Sequence, residues 1–235
     1  MEKIKKLNNG EMKIISQSNN AKLYLYGDIC TDEWDKWNDG DTTPTDISDF
    51  FNGINSFSAV DIYINSGGGS FYAGMAIYNL LKRHNGYKTV HIDGIAASIA
   101  SVIACAGDKI IAPSNSTFMI HKPAVSGWLW LNAEEMRKQA YELDRNQQQL
   151  VDIYMTKVKE GVSAEKINEL INAETWLTGA NIQEYFDFEV SETTSQQVAS
   201  ISDYYKKYVN MPENLNISAK EENERLKLQL ELYSM

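Results

Sequence analysis

The sequence predicts an α/β layer fold, and three observations carry that reading. Short β-rich runs alternate with stretches of helical apolar spacing between residues 22 and 186. Strand runs end in glycine turns, Lys22–Tyr26 at Gly27 and Val60–Ile64 just before Gly67-Gly68-Gly69. The run from Gly94 to Gly107 is apolar enough for a buried element, yet too short and too rich in Ala and Ser to span a bilayer. Strand, helix, strand, helix in alternation requires crossover connections.

Taken in order, residues 1–20 are polar and turn-rich and read as an arm. Lys22–Tyr26 is a first strand. Residues 31–46 are acidic, carry Trp34 and Trp37, and form a surface loop or short helix. Asp46 caps a helix through Ile47, Phe50, Phe51 and Ile54. Val60–Ile64 leads into the glycine turn, and Phe71–Lys82 carries Met75, Ile77, Leu80 and Leu81 at helical spacing. Thr89–Asp93 is the next strand, followed by a helix after Ser98 and short strands at Ile110-Ile111 and Thr117–Ile120. Asn132 and Glu135 form a capping-box pair that opens a long helix to about Lys159. Its narrow stripe (Met136, Tyr141, Leu143, Leu150, Ile153, Tyr154) suits a partner better than a core. Ser163 and Thr178 cap two shorter helices, the second ending near Phe186. Residues 191–235 are linker-like and then charged; Leu226, Leu228, Leu230 and Leu232 alternate as in a strand, while Glu, Lys and Gln around them favour helix. The domain proper is therefore 21–190, between an arm and a charged extension.

At 235 residues the chain can bury one substantial core, and 43% hydrophobic with 23% charged residues is ordinary for a soluble globular protein. A net charge of −10 without a basic cluster argues against a nucleic-acid surface. Two cysteines, Cys30 and Cys105, do not make a disulfide framework, and Cys105 reads as a small core residue. The opening residues have basic charge but no apolar run after it, so no signal peptide and no membrane anchor is expected, and the cytoplasm is the default compartment. No cofactor or metal is called for.

The chemistry gathers around Ser98 and His121. Ser98 stands at the start of the buried helix, and His121 ends the apolar strand Phe118-Met119-Ile120, where a side chain faces a cleft. His84 lies in a polar turn and reads as solvated; His91 alternates on a strand and reads as structural. A glycine run or a capping serine is weak evidence alone. Together, a serine, a histidine and glycine-turn N–H groups are what a hydrolase needs to attack a carbonyl.

Four stretches in register are more specific: Asn65-Ser66-Gly67-Gly68-Gly69, then Ala73-Gly74-Met75 with Ile77-Tyr78, then Gly94 with Ala96-Ala97-Ser98, then Met119-Ile120-His121 with Pro123. Over residues 22–190 the chain closely resembles the Clp peptidase family. The resemblance implies a spiral of repeated ββα units, as in the crotonase superfold, with a protruding handle helix from Asn132 that pairs heptameric rings. It implies a serine endopeptidase acting on polypeptides, with Ser98 as nucleophile, His121 as base and Glu174 at the position of the acid. Gly69 and Ile99 would supply the oxyanion-hole N–H groups. A substrate strand would lie between Ser70-Phe71 and Val125-Ser126-Gly127. Glu174–Thr178, the Trp34 loop and the charged extension look more like the head maturation proteases of tailed phages, implying capsid or scaffold proteins as partners.

Three departures stand out. Gly67 occupies the family's usual proline, the span from Ser98 to His121 is slightly short, and Glu174 replaces an aspartate, with Asp187 or a carbonyl as the other candidate to orient His121. The absence of Gly-x-Ser-x-Gly argues against an α/β-hydrolase. A hydratase of the same superfold would need glutamates and no serine, and a signal-peptide-peptidase-like enzyme a lysine base. The remaining rival is a catalytically silent assembly protein that keeps the fold.

Overall fold

The computed structural model describes residues 20–56, 58–125, 127, 130–192 and 208–212. Strand β1 (Asn20–Tyr26), helix α1 (Pro44–Asn52), β2 (Ala59–Ser66), α2 (Phe71–Arg83), β3 (Lys88–Ala97), α3 (Ile99–Ala104), β4 (Lys109–Pro113) and β5 (Thr117–Ile120) follow the expected alternation. Then come α4 (Ala133–Met155), α5 (Ala164–Asn172), β6 (Thr175–Thr178), α6 (Gly179–Tyr185) and β7 (Glu189–Ser191). Strands β6 and β7 were not foreseen; at four and three residues each is too short to show a period.

The strands form one seven-stranded sheet in the order β1-β2-β3-β4-β7, every neighbouring pair on that path parallel. Strand β3 is ten residues long and forks. Its first half pairs with β4 through Thr89–His91, while its second half pairs with β5 through Ile95–Ala97. A register shift against β2 between Ile64 and Ser66 accompanies the change of direction. Strand β6 then lies antiparallel against β5.

Alternation decides which face is buried. Leu23, Leu25, Ile62, Ile64, Val90 and Ile92 are sealed from solvent and packed with Ile47, Phe50, Ile77 and Leu81 from α1 and α2. Each such side chain stabilises the fold by about 1.5–3 kcal/mol relative to exposure. On the opposite face Tyr24 stacks on Tyr63 at 4.8 Å and Tyr63 on His91 at 4.7 Å, so His91 is a structural residue as expected. All six residues of α3 are buried, as the apolar run required.

Local details correct three expectations. Helix α1 is capped by Thr43, not Asp46; Asp46 is the reciprocal partner, accepting the Thr43 N–H at 2.8 Å, while Pro44 occupies the first turn. Helix α4 opens with the expected Asn132–Glu135 box but stops at Met155, because Thr156 turns its hydroxyl back onto the Ile153 carbonyl at 2.7 Å. His84 is buried, not solvated: its Nε2 is 2.7 Å from the Ser58 carbonyl and its ring stacks on Phe51 at 4.7 Å. A polar neighbourhood in sequence did not reveal that the turn folds back over α1.

Strand β1 begins at Asn20 and β7 reaches Ser191, whose carbonyl accepts from the Ser114 N–H. The arm before Asn20 and the leucine-bearing tail lie outside the described residues. Among the described residues no helix is long and apolar enough to cross a membrane. Cys30 and Cys105 are free thiols, both buried, and burial pushes the Cys105 thiol up to about 12.

Candidate active site

Ser98 is the single residue between β3 and α3, and its backbone is strained, with φ 54°. A non-glycine residue at positive φ costs about 1–3 kcal/mol, so its surroundings must hold it there. They do so from both sides. The Ser98 N–H donates to the Met119 carbonyl at 3.0 Å. The Ser98 carbonyl accepts from the N–H of Ser101 at 3.0 Å and from the Ser101 hydroxyl. That hydroxyl lies 2.7 Å from the hydroxyl of Tyr154 on α4, a side chain sealed in the core.

His121 arrives through strand pairing. Ala97 is in register with Met119, so one step beyond β3 and two beyond Met119 bring serine and histidine side by side. Ser98 Oγ and His121 Nε2 are 2.7 Å apart. Burial pushes the imidazole below its ordinary value of 6.5, against the opposing pull of the Glu174 carboxylate. At neutral pH the ring is therefore uncharged and able to take a proton from the hydroxyl.

The glycine turn closes the other wall. Gly68 sits at φ 105°, and a β-carbon on it would come within 2.7 Å of the Ser98 β-carbon. Gly69, at φ 148°, leaves no room for a side chain either, because the Ile29 carbonyl oxygen would lie 2.2 Å from it. Ile29 clamps the turn, donating to the Gly68 carbonyl and accepting from the Ser70 N–H, both at 2.8 Å. The backbone N–H groups of Gly69 and Ile99 make no turn, loop or cap hydrogen bond among the described residues, and both residues line the same cleft as Ser98 and His121.

That cleft, about 720 Å³, is also lined by Ser70, Phe71, Val125 and Glu174. Ser70 additionally caps α2, accepting from the Ala73 N–H. Gly127 faces open space and is not on the lining, and Ser126 lies outside the described residues. Glu174, at φ 49° between α5 and β6, faces the site, but its oxygens accept from the N–H groups of Asn210 at 2.7 Å and Val209 at 3.2 Å and from the Trp176 indole at 3.4 Å. Among the described residues no hydrogen bond joins Glu174 to His121; its influence on the ring is through charge. Asp187 lies elsewhere, in a pocket with Lys109 and Lys157, its N–H donating to the Lys157 carbonyl.

Sequence reasoning missed Tyr208 and Val209, which also line the cleft. Their one signal was the clustering of Tyr204, Tyr205, Tyr208 and Val209 in an otherwise polar stretch.

A strained serine at a strand-to-helix turn, a neutral histidine in contact with it and, among the described residues, two backbone N–H groups beside them free of turn, loop or cap bonds can perform nucleophilic acyl transfer. The Clp protease family matches residues 50–186, more than half of the chain, and the chain belongs to that family. It is 32% identical over 124 residues to the ATP-dependent Clp protease proteolytic subunit 1 of Chlamydia abortus, covering 52% of this chain and 64% of that protein. The same subunit from Protochlamydia amoebophila is also 32% identical over 124 residues, covering 52% of this chain and 59% of the relative. Subunit 3 from Rhodococcus jostii is 35% identical over 127 residues, covering 53% of this chain and 60% of the relative. The chain thus spans less than two thirds of the length of these relatives.

Proposed function

We propose that this chain is a serine endopeptidase of the Clp type, and the observation that carries the reading is the 2.7 Å contact between Ser98 Oγ and His121 Nε2. Ser98 attacks the scissile carbonyl while His121 takes its proton. The oxyanion is received by the N–H groups of Gly69 and Ile99, whose positions beside Ser98 support that role. His121 returns the proton to the leaving amine, and water repeats the sequence on the acyl-enzyme. Glu174 favours the imidazolium through its charge. Substrate runs as an extended strand past Ser70-Phe71 and Val125–Gly127.

The working form is a homo-oligomeric ring, with or without an ATP-driven unfoldase. Exposed Trp130, Met136 and Tyr141 on and before the first half of α4 support a contact between copies there. The repeated ββα spiral of the fold draws support from the parallel β1-β2-β3-β4 path with its crossover helices. The finer assignment, cytoplasmic cleavage of phage capsid or scaffold proteins during head maturation, rests on the resemblance of Glu174–Thr178 and the extended C-terminus to phage members. The relatives found are bacterial proteolytic subunits.

The experiment is fluorophosphonate labelling of the purified full chain with mass-spectrometric localisation, alongside cleavage mapping of co-expressed capsid proteins. Labelling on Ser98, abolished in Ser98→Ala, is expected. A folded chain that neither labels nor cleaves would instead be the silent assembly protein.

A further inference from the structure

Residues 208–212 lie beyond the stretch that matches the family, yet they are strapped across the site. Tyr208 meets the His121 ring edge-on at 5.1 Å with an interplanar angle of 84°, and meets Trp176 edge-on at 5.6 Å. Its hydroxyl donates to the Gly67 carbonyl at 2.5 Å, at the head of the glycine turn. The next two N–H groups, of Val209 and Asn210, clamp the Glu174 carboxylate, and the Asn210 amide donates to the Ala173 carbonyl at 3.0 Å. Met211 packs with Ile95, Ala97 and Met119, the strand ends that carry Ser98 and His121. Four residues, Tyr208 to Met211, therefore touch the glycine turn, the His121 ring, the α5–β6 turn and the strand ends behind them.

We propose that Tyr208 is a positioning residue of this site: its ring forms the wall against which the His121 imidazole is held, and the strap around it fixes the glycine turn and Glu174 relative to that ring. The inference rests on the peptidase reading for its purpose, but the contact itself does not. Geometry supports it in two ways. Among the described residues His121 has one hydrogen-bond partner, Ser98, so ring packing must supply the rest of its orientation. An edge-on aromatic contact is directional as well as apolar, so it biases the orientation of the ring it meets. The titratable groups facing the imidazole are Glu174 from the α5–β6 turn and Tyr208 from the strap, beside the Ser98 hydroxyl of the β3–α3 turn, while Lys122, next in the chain, lines the same cleft. The Tyr208 ring packs edge-on against the imidazole, and the burial of that imidazole is a larger influence holding it neutral than the charge of Glu174 is in the other direction.

The test compares the full chain with Tyr208→Ala and Tyr208→Phe by NMR titration of the His121 ring and by fluorophosphonate labelling rate against pH. In Tyr208→Ala the titration midpoint moves up toward 6.5, the ordinary histidine value. Labelling at neutral pH falls about tenfold there, as expected when a general base loses its alignment. Tyr208→Phe keeps the ring contact, so it retains the wild-type midpoint and labels within about threefold of wild type. Wild-type behaviour of Tyr208→Ala would overturn the proposal, and so would Tyr208→Phe behaving like Tyr208→Ala. Should Tyr208→Ala not fold, the wild-type spectrum decides: a cross-relaxation peak between the Tyr208 and His121 rings is expected, and its absence overturns the contact. Wild-type protein that never labels would sink the peptidase reading, while the His121 titration, which needs no turnover, still decides the role of Tyr208.

Discussion

Ser98 Oγ lies 2.7 Å from His121 Nε2, although 23 positions separate the two residues in the chain. The closeness is a product of register. Strand β5 lies beside the far half of β3 with Met119 opposite Ala97, so both chains run out of the sheet together. A one-residue slip in that pairing would turn the imidazole to the other face. The site thus inherits its accuracy from strand hydrogen bonds and not from a loop.

Ser98→Ala should leave a folded protein that no longer labels or cleaves, since the strained backbone is the same for both residues. Ser98→Gly should be equally inactive but more stable, by about 1 kcal/mol, because glycine adopts φ 54° without strain. Thermal melts of the two variants side by side read that difference.

The acid limb of kcat/KM should lie below 6.5, because burial lowers the affinity of His121 for a proton in the folded state. The sign for stability is the reverse of a salt-bridged histidine. Above the unfolded value His121 contributes nothing to pH dependence. As pH falls below it, the unfolded chain takes up a proton that the folded one refuses, and stability declines until the folded group titrates. Denaturant midpoints of wild type and His121→Ala should therefore converge as the pH is lowered.

Gly68→Ala should damage both fold and chemistry. Its new β-carbon would stand 2.7 Å from that of Ser98 and 2.9 Å from the Ala97 carbonyl oxygen, with the backbone at φ 105°. A loss of about 2 kcal/mol or more is expected from clash and strain together. Labelling should be slowed even in the molecules that remain folded, which a rate normalised to native protein would show.

Tyr154→Phe removes one hydroxyl from the pair it forms with Ser101 at 2.7 Å. The direct loss is about 1 kcal/mol of stability, with no cavity created. Because Ser101 in turn holds the Ser98 carbonyl, the acylation rate should fall several-fold while KM stays near wild type. Equal rates would mean that Ser98 is held well enough by the Met119 and Ser101 backbone bonds.

Glu174→Gln should lower kcat/KM, since an amide cannot favour the imidazolium by charge and presents a donor to the strap's N–H groups. Asp187→Asn, in a separate pocket, should be nearly silent. Peptide hydrolysis across neutral pH separates the two.

Much of this architecture is legible in residues whose neighbours in sequence are also their neighbours in space. Alternation in Lys22–Tyr26 and Val60–Ile64, the Asn132–Glu135 box and the apolar run after Ser98 each announce their element locally. The Ser98 and His121 pairing was read through resemblance, which carries tertiary information that periodicity lacks. What stayed hidden depends on distant chain segments. His84 reads as solvated until Ser58 and Phe51 close over it. Strand β6 exists because β5 offers an edge, and Tyr208 matters because it lies against a ring 87 positions earlier. None of these leaves a period or a cap in the sequence.

The fork in β3 separates two kinds of tolerance to change. Its first half pairs with β4, which pairs with β7; its second half pairs with β5, which pairs with β6 and runs directly into His121. Substitutions on the β4–β7 arm act on the reacting atoms at one remove, through packing such as that of Phe188 edge-on against Phe118 of β5 at 5.1 Å. Those on the β5–β6 arm move the nucleophile and its base together. A chain built this way can gain robustness on one branch while its chemistry is retuned on the other.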